Sequence, residues 1–167
     1  MLSLVAPAGP SASGAERAMR APTARADAPG HPWQWPVNGA REVVEPFRMP
    51  THDYGPGHRG MDVAAAPDAP VRSPADGVVA FRGVVVDRPL ITIDHGGGHV
   101  STLEPVASEL RPGQPVKAGD VVGSVSHGGH AVRGSLHVGV RIDGEYVNPR
   151  GFFGLAPRAV LLPCCRD

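Results

Sequence analysis

Gly57-His58-Arg59-Gly60-Met61-Asp62 sets an imidazole and a carboxylate four positions apart, and a second imidazole stands in the remote segment Ser135-Leu136-His137-Val138-Gly139-Val140. Two imidazoles and a carboxylate are three ligands of the kind that hold Zn²⁺ and leave its fourth position open to water. In outline that is a hydrolytic metal site. Taken alone, His-x-x-x-Asp is a weak signal, because such a pair is more often ordinary surface chemistry. Gly57 and Gly60 argue against a helix across it. In extended chain, however, positions four apart point to the same side, since strand side chains alternate with period two. His58 and Asp62 are therefore expected to converge. His137 lies in an alternating segment, with Leu136 and Val138 facing one way and Ser135, His137 and Gly139 the other, so it is expected on a polar face.

The elements that must position these residues read as an all-β domain. From Trp33 to Phe153, short apolar runs are interrupted by Gly, Pro, Asn or Asp at the spacing of a sandwich or barrel. Strands are expected at 43–47, 71–73, 77–86, 90–94, 99–105, 121–126, 135–142 and 145–147. Asp143-Gly144 predicts a type I′ hairpin, whose two central residues must both accept positive φ. Gly96-Gly97-Gly98 predicts a second reversal, with His95 beside it as a turn residue. Pro89, Pro112 and Pro115 sit where strands begin or end, consistent with their missing N–H. No stretch sustains a 3.6-residue apolar period; 106–110 predicts one short helical turn.

Three regions follow: a leader over 1–31, a domain over 32–155 and a tail over 156–167. The leader has almost no large apolar side chains and is not expected to offset the entropy of ordering. It reads either as a disordered segment or as a truncated or misassigned signal peptide, with Ala26-Asp27-Ala28 resembling a cleavage site. Acidic and basic residues balance at 16 each in a chain of 167, which gives no basis for a nucleic-acid partner. No apolar run is long enough for a transmembrane helix. The only cysteines, Cys164 and Cys165, are adjacent and would close a strained ring, so free thiols or an intermolecular bond are expected.

The chain resembles the lysostaphin-type, or LytM-like, zinc endopeptidases that cut peptide cross-links in bacterial cell walls. The resemblance covers roughly Trp33 to Phe153 and rests on His58-Arg59-Gly60-Met61-Asp62-Val63-Ala64, Ser73-Pro74-Ala75-Asp76-Gly77-Val78-Val79, Gly113 to Gly123 and Leu136-His137-Val138-Gly139. It implies a compact antiparallel sheet in a barrel-like sandwich with paired halves. It also implies Zn²⁺ on His58, Asp62 and His137, peptidoglycan stems or cross-bridges as substrate, and action outside the cell or in its envelope.

At two positions the pattern departs from the family. Ser135 stands where the first histidine of His-x-His is usual, and Leu103-Glu104-Pro105-Val106 replaces a histidine-bearing segment. Those histidines help deprotonate the attacking water and stabilise the oxyanion. Glu104, beside the vacated position, and His130, across a glycine-rich turn from His137, are the candidates to replace them. A variant of actinobacterial appearance, reading Tyr-Glu-Pro-Val and Gly-His before Leu-His, would make both residues subfamily features. The alternative is a domain without catalysis that binds peptidoglycan or regulates another cell-wall hydrolase. Ala75-Asp76-Gly77-Val78-Val79 also resembles biotinyl or lipoyl carriers, but the sole lysine, Lys117, is not at the hairpin tip such carriers require. Trp33 and Trp35 are expected to form a strap packed on the domain.

Overall fold

Valine-rich runs of two to nine residues, cut by glycine and proline, are too short for stable helices and have the branched side chains that pleated strands accommodate. The computed structural model describes residues 32–52, 55–128 and 134–155. In chain order the strands are β1 (Val43–Glu45), β2 (Met61–Ala64), β3 (Pro70–Arg72), β4 (Gly77–Val85), β5 (Arg88–Gly96) and β6 (His99–Glu104). They continue with β7 (Val106–Ala107), β8 (Pro115–Val116), β9 (Val121–Val125), β10 (Ser135–Ile142) and β11 (Glu145–Val147), before a single 3₁₀ turn at Pro149–Gly151. No α-helix occurs among the described residues. All pairings are antiparallel. The larger sheet runs β1-β2-β10-β6-β5-β4-β8 with β11 also on β10, and the smaller runs β3-β9-β7.

Alternation divides the larger sheet into two faces. Val138 is in register with Met61 on one side and Leu103 on the other, and all three are fully buried. Val63, Ile91, Ile93 and Leu136 join them, and the smaller sheet contributes Val71, Val106, Val122 and Val125 to the same core. Each such side chain contributes about 1.5–3 kcal/mol relative to exposure. The strap is present: Trp33 N–H donates to the Phe152 carbonyl at 2.7 Å, and Trp35 packs edge-on against Phe153 at 5.4 Å.

The Asp143-Gly144 reversal has φ of 50° and 91°, as a type I′ turn requires. Two local expectations do not hold. Val106 and Ala107 form a strand on β9, opposite Val125 and Ser124, instead of a helical turn. A five-residue helix carries the full nucleation penalty, whereas pairing on β9 buries the branched Val106 side chain. The β4–β5 reversal falls at Val86, which has φ of 62° and is 92 % exposed. A β-branched residue seldom adopts that conformation, so composition gave no turn signal there.

His95 is also not a surface turn residue; it is 5 % exposed on β5. Its Nδ1–H donates to the Asp76 carbonyl and its Nε2 accepts from the Ser101 hydroxyl, both at 2.8 Å, while the Trp33 ring lies 4.7 Å away. Burial pushes its pKa below the usual histidine value, against the partly opposing hydrogen bond to Asp76. A depressed histidine takes up a proton more readily when unfolded, so its contribution to stability is complete above the unfolded value of 6.5 and is lost as pH falls below it. Urea unfolding at about pH 7.5 and about pH 5.5 should therefore show wild type losing more stability on acidification than His95→Gln. Equal losses would remove His95 as the cause.

Candidate metal centre

The centre forms where a loop crosses the polar face of the larger sheet. His58 is tied to Arg48 by two backbone hydrogen bonds, N–H to carbonyl at 2.9 and 3.0 Å. That approach needs Gly57, where a Cβ would lie 2.8 Å from the Arg48 carbonyl oxygen and 2.9 Å from Pro50 N. Asp62, on β2, is the direct cross-strand partner of His137 on β10. The His137 ring lies over Gly60, where a Cβ would come within 2.5 Å of its Nε2 and 2.6 Å of the Val138 carbonyl oxygen. The glycines that argued against a helix are thus also needed for the close packing of both imidazoles.

His58 Nε2 lies 3.0 Å from Asp62 Oδ1 and 3.0 Å from His137 Nδ1, which is itself 2.8 Å from the same carboxylate oxygen. Across the ring, His58 Nδ1 donates to the Pro46 carbonyl at 2.9 Å. That bond fixes the neutral tautomer and leaves Nε2 with only a lone pair. With both rings neutral, the three converging atoms share at most one proton, on His137 Nδ1. A cation among them satisfies every lone pair, so this donor set fits a divalent metal ion and includes the ligand types zinc takes. Asp62 is 3 % exposed. Burial raises its pKa, but hydrogen bonds and charge from His137 and His58 outweigh that and hold it below the ordinary carboxylate value.

His137 has a partner on its other side as well. Glu104 on β6 is in register with it, so Asp62, His137 and Glu104 form a cross-strand row at one level of β2, β10 and β6. Glu104 Oε1 lies 3.3 Å from Arg88 Nη1. The row faces a cleft of ≈ 590 Å³ lined also by Arg48, Arg88, Thr92, Thr102, Gly139 and Arg141. Pro105 borders this cleft and Ser135 is buried, so neither departure from the family pattern puts an imidazole there. His130 lies outside the described residues, as do Cys164 and Cys165. His52 is exposed on the preceding loop. No motif or spacing marks the arginines of the cleft. Thr102 could have been found by stepping back two positions from Glu104, but Arg88 and Arg141 needed the strand register.

The model of peptidase family M23 matches residues 56–149, more than half of the chain. An uncharacterised protein of Mycobacterium tuberculosis, Rv2891, is 34% identical over 129 residues, 74% of this chain and 52% of that protein. The DD-carboxypeptidase/endopeptidase Mpg of Neisseria gonorrhoeae is 38% identical over 94 residues, 55% of this chain and 22% of that protein. The chain therefore spans about half the length of the mycobacterial relative and less of the neisserial one. Among solved structures, a zinc-containing peptidase from Vibrio cholerae shares the fold with a TM-score of 0.62 at 23% identity, covering 71% of this chain and 39% of that one. With an antiparallel all-β fold of the LytM type and a match that runs through both histidine-bearing segments, the chain belongs to peptidase family M23.

Proposed function

We propose that this chain is a zinc endopeptidase that hydrolyses peptide cross-links of peptidoglycan, with His58, Asp62 and His137 as the metal ligands and Glu104 as the proton-handling group. The observation that supports it most is the tautomer lock. Pro46 fixes which nitrogen of His58 is bare, and that nitrogen meets a buried carboxylate and a second imidazole at the floor of a cleft. A binding scaffold has no chemical need for such an arrangement.

When bound, zinc would supply Lewis acidity, polarising the scissile carbonyl and easing deprotonation of the attacking water. The chain's own part is to position and to move protons. Asp62 stays ionised across the neutral range, so it binds without first giving up a proton. Glu104, in the same cross-strand row, accepts the proton of the water and returns it to the leaving amine. Arg88 orients that carboxylate through their ion pair. His130 is proposed, on the sequence alone, as a second proton-handling group. The catalytic unit is proposed to be the domain over 32–155. Its substrate requires action in the cell envelope or outside the cell, and among the described residues no helix is long and apolar enough to cross a membrane.

The test is release of soluble muropeptides from purified actinobacterial walls by the zinc-loaded protein, beside His58→Ala. Release should depend on zinc and fall to background in the variant. A folded, zinc-loaded protein that released nothing from several wall types would overturn the proposal in favour of a domain that binds peptidoglycan or regulates another hydrolase.

A further inference from the structure

Strand β10 carries His137, Gly139 and Arg141 on one face, and all three line the cleft. Arg141 stands four positions along β10 from His137, about 13 Å at the usual rise. Between them Gly139 contributes no side chain, and its β6 neighbour is Thr102, which in turn pairs with Thr92 on β5. The floor is therefore a shallow polar trough running from the metal centre to a guanidinium.

That guanidinium differs from others in the cleft. Arg48 is paired with Glu45 at 2.7 Å and Arg88 with Glu104 at 3.3 Å. Arg141 has no carboxylate partner among the described residues, and its Nε has no acceptor. What holds it is Tyr146, its cross-strand partner on β11, whose ring centroid lies 5.7 Å from the guanidinium carbon. A positioned arginine without an internal counter-charge, bordering a substrate cleft, has the planar donor fork that matches a carboxylate.

We propose that Arg141 is the carboxylate subsite of this cleft. The peptide it takes carries a free carboxylate, at its C-terminus or on a side chain, roughly three to four extended residues from the bond at the metal centre. This rests on the peptidase reading above and adds to it the charge and position of a specificity group.

The experiment uses synthetic pentapeptides in carboxylate and carboxamide pairs, one pair differing at the C-terminus and the other at a Glu or Gln side chain. Binding to the zinc-loaded full chain is measured by calorimetry alongside hydrolysis. Wild type should prefer the carboxylate of at least one pair by about 10- to 100-fold in Kd, and Arg141→Gln should erase that preference. Arg141→Lys, which keeps the charge without the fork, should retain part of it. The pair that discriminates identifies the source of the carboxylate. Equal binding of both members of both pairs to wild type overturns the proposal whatever the variants do. A preference that survives in Arg141→Gln also overturns it, because another group then holds the carboxylate. Preference without hydrolysis would count against the peptidase reading and leave the subsite standing; hydrolysis without preference would do the reverse.

Discussion

Asp62→Ala should abolish zinc binding and reduce wall hydrolysis to background, the same floor expected of His58→Ala. Asp62 Oδ1 lies 3.0 and 2.8 Å from the ring nitrogens of His58 and His137, and Asp62 is the one anion among the three proposed ligands. Losing a group that merely supports a ligand costs about 10- to 100-fold in metal affinity, so losing the ligand itself should cost more. Competition with a chromophoric chelator would measure it. Metal-free protein provides an independent reading. Because the folded pKa of Asp62 is depressed below 3.8, its contribution to stability is present above that value and is lost as pH falls through the folded pKa. Metal-free Asp62→Ala should then be less stable than wild type near neutrality, and the difference should shrink only in strong acid. A variant that bound zinc as tightly as wild type would place the metal elsewhere.

What made this centre legible was local geometry. The period-two rule put His137 on the polar face of an alternating segment, and β10 presents it there beside Asp62 of β2. The same rule brought His58 to Asp62 for a different reason from the real one: the chain bends at Arg59-Gly60, and His58 reaches the carboxylate from a loop bridged to Arg48. The fold class was legible for the same reason, since apolar runs broken by glycine and proline leave few alternatives to short antiparallel strands. What sequence could not give was register. Glu104 was singled out as a neighbour of a vacated position; that it pairs with His137 depends on how β6 lies against β10, a non-local fact. Arg88 and Arg141 reach the cleft through the same pairings and carry no local mark. His95 was misread because the adjacent glycines signal a turn, whereas burial there comes from Trp33, more than sixty residues earlier in the chain. Val86 was missed because a strained turn built from valine has no compositional signature.

Glu104→Gln should lower kcat/KM for wall peptides by about 10²- to 10⁴-fold while the protein still binds one equivalent of zinc, the magnitude usual for losing a general base. The substitution keeps the shape and hydrogen-bonding reach of the side chain and removes only its capacity to take a proton at neutral pH. Glu104 also pairs with Arg88 at 3.3 Å, with the carboxylate side chain 14% exposed, so a structural role is a genuine competitor. The two roles separate in what changes. If the pair chiefly braces the cleft, Glu104→Gln and Arg88→Ala should both lose thermal stability and leave kcat close to wild type. If Glu104 moves the proton, Glu104→Gln should lose kcat at unchanged zinc stoichiometry and little altered Tm, and Arg88→Ala should show a smaller loss because the carboxylate remains but is less well oriented. Unchanged turnover in Glu104→Gln would leave it as an ion-pair partner of Arg88. Proton transfer would then have to come from another residue, and His130 would be the first to replace.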